Sequence, residues 1–595
     1  MTDVLDTFLD APFSSLEVSF ARSIARLAGD ESRELLLASA ATLHAVARGD
    51  LCYVLGDDLP EADSSPEDSI DEAPRAAPRA LPAKEEWREQ LSRSPAVEVA
   101  PAYAPPTSAR PLVLDAEGRL YLQRSFVAQT EIASAILKRV RASCVVEEDA
   151  LAEGLARLFA QARPDDLQRA ATELAVRRAF SLITGGPGTG KTTTVAKVLA
   201  LLVEQAEALG DTPPRIALAA PTGKAAARLA EAIARARGAL SVSESVRDAL
   251  PTHASTLHRL LGLAPGMNRR LSAGRLPHDV VIVDEASMVD LSLMQELLHA
   301  LCPRARLVLL GDPSQLASVS EGAVFADLCA APAGSALAQA RVRLVEGHRY
   351  QSGSALDEFA ESIRRGDSER ALELLELGPT LTLHDSLPRR GLGDAFLELV
   401  ERGYADFLAA TSPERRLDAF DRFRVLCAHR QGRFGAPEIS RRLGAALLER
   451  GLMPAARDGR ASLEPILIVR NSPALGLFNG DVGYVDRTQL GSSVTHFRRE
   501  GGGVQAFAPS RLPAHESAWA MTVHKSQGSE VDSVALVLPD VRSAVCTREL
   551  VYTAITRARS RVDVFATSQV LGAAIGHRTV RHGGLREALS RDDDC

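Results

Sequence analysis

Ile183 to Thr194 reads ITGGPGTGKTTT, a short apolar run, a glycine-rich turn and the start of a helical stretch. Within it Gly185, Gly186, Pro187, Gly188, Thr189, Gly190, Lys191 and Thr192 satisfy G-x-x-x-x-G-K-[ST], in the strand-loop-helix context of a phosphate-binding loop. Glycines at 186, 188 and 190 let backbone N–H groups turn inward around phosphate oxygens, where any Cβ would block approach. Lys191 is expected to reach the β- and γ-phosphates of ATP and the Thr192 hydroxyl to ligate Mg²⁺, with Thr193 beside them in the ATP-binding set. The following helix carries Val195, Val198, Leu199 and Leu202 on one face and points its positive end at the nucleotide.

Outward from this loop the pattern of strand, glycine-containing loop and helix repeats in FSLITGG, RIALAAPTG, DVVIVDEAS and RLVLLGDPSQ. Continuous apolar strands alternating with helices predict a parallel sheet covered on both faces, here over residues 161–350. A second set, FRVLCAHR, SVALVLP and RVDVFA, predicts another α/β domain over 351–431 and 513–595. Between its two parts, short β-rich runs around Asn479-Gly480 suggest a small inserted β-barrel or sandwich over 432–512. Residues 14 to 55 have helical spacing and predict a small helical N-terminal domain over 1–58, resumed at 112–160 by LVLDAEGRLYLQRSF, two short strands about a turn. The stretch 59–111 is rich in Pro, Ala and acidic residues and reads as a flexible linker.

Asp284 and Glu285 end the strand VVIVDE. In the same sheet as the phosphate loop, the first is placed to hold Mg²⁺ through water and the second to orient and deprotonate the attacking water. Gln315, at the end of RLVLLGDPSQ, has an amide able both to donate to a γ-phosphate and to hold water. Phosphoryl transfer also needs cationic charge against the transition state, for which Arg349 and Arg557 are candidates. Both lie far from the loop in sequence, so their participation would couple hydrolysis to closure between two domains.

The chain has 595 residues, with 46% apolar and 25% charged residues, the balance of ordinary globular domains. Its apolar runs fall short of the ~20 residues of a membrane span, and the acidic N-terminus lacks a basic stretch before an apolar core, so a cytoplasmic protein is expected. Seven scattered cysteines without a C-x-x-C pair suggest neither a zinc site nor a disulfide framework. A net charge of −8 argues against bulk electrostatic attachment to nucleic acid, while leaving room for a local basic track.

In their order along the chain these segments resemble the motifs of superfamily 1 DNA helicases. Gln168 in DDLQRAA resembles the adenine-reading glutamine ahead of the phosphate loop. AAPTGKAAARL (219–229) and ASTLHRLLG (254–262) resemble single-strand-contacting motifs, and MTVHKSQGSEVD (521–532) and RELVYTAITRARSR (548–561) the closing motifs of the second motor domain. LEVSFARSIARLAGD, GRLYLQRSF and NSPALGLFNGDVGYV narrow the resemblance to the RecD type, subunits of RecBCD-type exodeoxyribonuclease V. It implies two RecA-like motor domains, an SH3-like inserted domain, and a motor moving 5′ to 3′ on one strand beside RecB-like and RecC-like subunits in double-strand break repair and recombination. It also adds Gly528 and Glu530 to the ATP site. Thr222, Lys224, Thr256, His258, Thr522, His524 and Lys525, small polar or basic groups suited to phosphate and sugar, form with Pro221 the expected DNA-contacting set. Residues 264–278 fall where related helicases carry a strand-separating pin, and their polar composition equally suits a surface loop.

Two other functions compete with this one. A free-standing RecD-like helicase is expected to carry helix-hairpin-helix segments at its N-terminus, and their G-x-G turns are not found in this sequence. A P-loop switch or assembly ATPase would hydrolyse ATP without translocating, and its turnover would ignore single-stranded DNA. No compact Asp/Glu/Lys nuclease constellation stands out beyond the ATP site.

Overall fold

The structure, a computed structural model, describes residues 13–58, 81–100, 105–163, 165–263, 274–345, 353–388, 391–456, 461–472, 474–487, 493–499 and 502–590. Its first element is the helix Ser15–Ala28, opened by a capping box in which Ser14 and Glu17 satisfy each other's backbone N–H groups, and closed by Gly29 at a φ of 65°. This helix and Arg33–Ala47 pack on a four-stranded sheet of β1 (Cys52–Val54), β2 (Val97–Val99), β3 (Leu112–Leu114) and β4 (Arg119–Leu122), in the order β1-β4-β3-β2. The N-terminal unit is therefore mixed α/β rather than helical. β3 and β4 are the two strands expected about their turn, while β1 and β2, three residues each, leave no alternation to read.

The expected linker 59–111 also differs. Residues 59–80 and 101–104 lie outside the described residues, but Lys84–Arg93 is a helix and β2 pairs in parallel with β3. Trp87 and Leu91 are fully buried, and the indole N–H of Trp87 donates to the Glu34 carbonyl at 3.0 Å. Each apolar anchor is separated from the next by charged residues, so averaged composition concealed them. Trp87→Ala is expected to cost about 3–5 kcal/mol locally, read as faster amide hydrogen exchange over 84–99 while the rest of the chain stays protected.

The phosphate-loop strand, β5 (Phe180–Gly185), is buried along its length. With β6 (Ile216–Ala220), β7 (Ser255–Thr256), β8 (Val280–Val283), β9 (Arg306–Gly311) and β10 (Arg341–Leu344) it forms an all-parallel sheet in the order β10-β5-β9-β8-β6-β7. One face is covered by Ile132 and Ile136 of the helix Gln123–Arg141 and by Leu297, the other by Leu151, Val198 and Leu229. The helix Glu148–Leu158, which the sequence reading grouped with the N-terminal domain, thus shares its core with this sheet. Of the segment 264–278 only its last five residues are described.

A second parallel sheet comprises β11 (Leu381–His384), β12 (Phe423–Cys427), β18 (Ala520–Thr522), β19 (Val531–Val537) and β20 (Ala558–Phe565), ordered β11-β20-β19-β12-β18. Between β12 and β18 the chain builds β13 (Leu463–Ile468), β14 (Val482–Asp486), β15 (Val494–Arg498), β16 (Val504–Phe507) and β17 (His515–Ser517), an antiparallel sheet ordered β16-β15-β14-β13-β17. Ile466, Ile468, Val485, Phe497 and Phe507 form its own small core. The helix Ala436–Glu449, inside the expected insertion, instead buries Ile439, Leu443 and Leu447 in the core of the second parallel sheet.

After β20 the chain returns to the first half of the molecule. Leu51 N–H donates to the His582 carbonyl at 2.8 Å, and the Arg581 guanidinium donates to the carbonyls of Ser318, Ser320 and Gly322 at 2.6–2.7 Å. Leu585 and Leu589 of the terminal helix Leu585–Ser590 join the core around Gln123–Arg141. The expectation that 513–595 belongs wholly to the second domain therefore fails beyond about residue 577 in packing terms. Among the described residues no helix is long and apolar enough to cross a membrane.

Candidate nucleotide site and strand track

At the end of β5 the chain turns through Gly188 and Gly190, with φ of 81° and 80°, into the helix Lys191–Ala208. A Cβ on Gly190 would come within 2.3 Å of the Gln168 amide nitrogen, which itself lies 3.4 Å from the Thr189 carbonyl as its donor. Gln168 thus braces the loop from behind. The Lys191 ammonium donates to the carbonyls of Gly185 and Gly186 at 2.6 and 3.0 Å, holding a positive charge over a turn whose following helix presents unsatisfied N–H groups. Gly185 itself is enclosed: a Cβ there would meet the Leu344 carbonyl at 2.9 Å.

Asp284 and Glu285 follow β8, with the Glu285 N–H donating to an Asp284 carboxylate oxygen at 2.8 Å. Glu285 has a φ of 51°, the one non-glycine residue at positive φ among the described residues. Such a conformation costs about 1–2 kcal/mol, and here it falls on the carboxylate pair. Burial, then the Glu285 charge, pushes the Asp284 carboxyl up to about 6, against the pull of Lys191. Asp312, after β9, is pushed up by burial and likewise eased by Lys191. The half-buried Asp284 carboxyl, lining one cavity with the Thr192 hydroxyl, makes an oxygen donor set of the hard kind that suits Mg²⁺.

The opposite wall comes from the second sheet. Arg557, buried behind β19 and β20, donates to the Gln315 side-chain oxygen at 3.0 Å and to the backbone carbonyls of Thr553 and Ser529 at 3.1 and 3.3 Å. Around it the Leu316 N–H donates to the Thr553 hydroxyl at 2.9 Å and the Gln527 amide to the Leu316 carbonyl at 3.1 Å. The cavity these walls enclose is about 670 Å³ and is lined by Lys191, Thr192, Thr193, Asp284, Glu285 and Gln315 on one side and Gly528, Glu530 and Arg557 on the other. Pro187, Gly188 and Gly190 line it too, whereas Gly185, Gly186 and Thr189 line a neighbouring cavity. Arg349 lies outside the described residues.

Three residues of this junction, Asp312, Tyr552 and Arg228, escaped the sequence reading. The Tyr552 hydroxyl donates to Asp312 at 3.0 Å across the two sheets, and the Arg228 guanidinium lies 3.6 Å from Glu530. Tyr552 sits inside the quoted closing motif, but a tyrosine in a helix reads as core until its hydroxyl finds a partner.

The expected strand-contacting residues lie at the carboxyl ends of β6, β7 and β18. Thr222, preceded by Pro221, caps the helix Gly223–Ala239 through Ala225 N–H, and Thr256 caps Leu257–Leu260 through Arg259 N–H. His258 is exposed, Thr522 is buried, and His524 and Lys525 form a tight turn after β18. The Lys525 ammonium pairs with the Glu516 carboxylate. Burial holds the Lys224 ammonium down to about 8, with Asp421 and Asp481 pulling it back up and Arg424 and Arg228 adding to the fall.

Residues 11–121 match the family described as "RecBCD enzyme subunit RecD, N-terminal domain", 168–321 an "AAA domain" and 517–564 a "UvrD-like helicase C-terminal domain". The RecBCD enzyme subunit RecD of Mycobacterium tuberculosis is 38% identical over 579 residues, spanning 96% of this chain and 94% of its own. That of Mycolicibacterium smegmatis is 41% identical over 492 residues, spanning 82% and 85%. A Pif1 helicase from Bacteroides, solved in complex with ADP-AlF3 and ssDNA, is 16% identical with a TM-score of 0.37 over 72% of this chain and 94% of that one. Near end-to-end identity at this level, with the N-terminal unit included, means that the chain belongs to the RecD family of RecBCD enzyme subunits.

Proposed function

We infer that the protein is the ATP-driven DNA helicase subunit of a RecBCD-type enzyme, moving 5′ to 3′ along one strand in the cytoplasm beside RecB-like and RecC-like partners. The Arg557–Gln315 contact carries this reading. A nucleotide cavity that needs both sheets for its walls converts ATP binding and hydrolysis into closing and opening between them. We read the two sheets as RecA-like motor domains and the inserted antiparallel sheet as an SH3-like barrel.

In this reading Lys191 and the helix N-terminus draw the β- and γ-phosphates into the loop, and Arg557 meets the charge that develops as the γ-phosphoryl leaves. Thr192 and Asp284 would hold Mg²⁺, which would supply charge neutralisation at the phosphates. Glu285 takes the proton of the attacking water, and Gln315 holds that water and transmits the state of the γ-phosphate to Arg557. Glu285→Gln is expected to slow single-turnover hydrolysis by about 10²–10⁴-fold while retaining ATP, as measured by rapid chemical quench and filter binding. Unslowed hydrolysis would remove Glu285 from the role of base.

The strand passes over Thr222, Lys224, Thr256, His258, Thr522, His524 and Lys525. Lys224 is charged below a pH of about 8 and loses its proton above it. Affinity for single-stranded DNA should therefore fall about three- to tenfold between neutral pH and one unit above that value, and Lys224→Arg, which stays charged, should abolish the fall. Equilibrium titrations at constant ionic strength check both.

The decisive test of the function is ATP turnover with and without single-stranded DNA, partner subunits supplied. Stimulation supports a motor; turnover indifferent to DNA leaves only a P-loop switch. Translocation on single strands of defined polarity then tests direction, and recovery of large RecB- and RecC-like chains from the native host tests the assembly.

A further inference from the structure

Lys224 and Lys525 belong to different parallel sheets, one following β6 and the other β18; Lys525 pairs with a carboxylate of the inserted antiparallel sheet, and Lys224 lies in the electrostatic field of another. Glu516 of β17 pairs directly with Lys525, both side chains a quarter to a third exposed. Next to Lys224, the loop between β13 and β14 approaches the chain at Gly223. The Phe478 side chain lies against Gly223, so that a Cβ there would stand 3.4 Å from it. The Phe478 N–H donates to the Asp481 carboxylate at 2.6 Å, which fixes that carboxylate beside the start of the helix carrying Lys224. Asp481 and Asp421 both attract the Lys224 ammonium.

We propose that Asp481 and Glu516 stand in for strand phosphates at Lys224 and Lys525 in the strand-free protein, so that a strand enters by ion exchange and these two carboxylates set its affinity. The proposal rests on the strand-track reading given above. A half-buried ammonium without a partner is costly, and an internal carboxylate offsets that cost when no strand is present. The same carboxylate must then be displaced, so it subtracts from the free energy with which a phosphate binds. A single anion gains little from such an exchange. A polymer that presents successive phosphates to both lysines displaces both carboxylates in one event, which makes the track selective for strands over free phosphate or nucleotide.

The test is equilibrium binding of a fluorescein-labelled oligothymidylate to the full chain, without ATP, at one moderate salt concentration. Asp481→Asn keeps an oxygen to accept from Phe478, and Glu516→Gln keeps the length of the side chain. Each is expected to tighten binding about three- to tenfold, with no gain from Asp481→Asn in a Lys224→Ala background or from Glu516→Gln in a Lys525→Ala background. Unchanged or weaker binding by the neutral variants, or a gain that survives loss of the matching lysine, overturns the exchange alone. Absence of binding by every protein, the wild type included, overturns the strand-track reading and the exchange with it. Thermal melts identify a variant that fails to fold, and Asp421→Asn then reads the same exchange at Lys224.

Discussion

Lys191→Gln is expected to reduce ATP hydrolysis by about three orders of magnitude or more, the scale on which a preorganised cation at a transferring phosphoryl group acts. The ammonium sits on the carbonyls of Gly185 and Gly186 at the mouth of the loop. Glutamine has comparable reach but no charge, so the phosphates lose their counter-charge while the turn, set by Gly188 and Gly190, keeps its shape. Lys191 also eases the half-buried carboxyl of Asp284 and the buried one of Asp312, so the substitution removes support from the metal side of the cavity as well. Steady-state turnover with saturating DNA measures the loss, and an unchanged thermal melt shows that the fold is retained. Substantial DNA-dependent turnover in the variant would sink the assignment.

Arg557→Ala should be nearly as damaging and for a different reason. A cation delivered from a second domain is worth about 10³–10⁵ in turnover where it meets the transition state. Arg557 is held by Gln315, Thr553 and Ser529, so its loss takes away both the charge and one of the bonds joining the two sheets. The expected signature is a collapse of kcat with a small change in KM for ATP, since binding rests on the phosphate loop. DNA affinity measured without ATP should be preserved, and a variant with normal kcat would dismiss Arg557 from the site. Arg557→Lys should recover little, because a single ammonium cannot span three acceptors.

The phosphate loop was legible because its chemistry fixes spacing: small residues where the backbone must approach, then Lys and Thr in the first turn of a helix. Asp284 and Glu285 were legible from their position after a fully apolar strand. Arg557 was named a candidate from the need for a cation against the transition state; that it bonds Gln315 was not legible, because the two are 242 residues apart and no local pattern encodes which sheet ends face each other. The site roles of these residues rest on the experiments above. Of the N-terminal sheet, β3 and β4 were legible about their turn, whereas β1 and β2 were missed because each is three residues long, and the helix around Trp87 because charged neighbours outnumber its anchors. The pairing of Lys525 with Glu516 was invisible for the same reason as the Arg557 contact: it depends on where an inserted sheet lies, and nothing in either residue's neighbourhood states that.

The returning C-terminal segment has a mechanical consequence. The second parallel sheet is joined to the first half of the molecule at its beginning, after β10, and again near its end, where Arg581 grips the loop at Ser318–Gly322 and Leu585 is buried beyond it. A body fastened at two separated points cannot drift away or slide freely; it swings about the line through its fastenings. If ATP closes and opens the two sheets as proposed above, each cycle is expected to follow one arc of travel, like a door on two hinges.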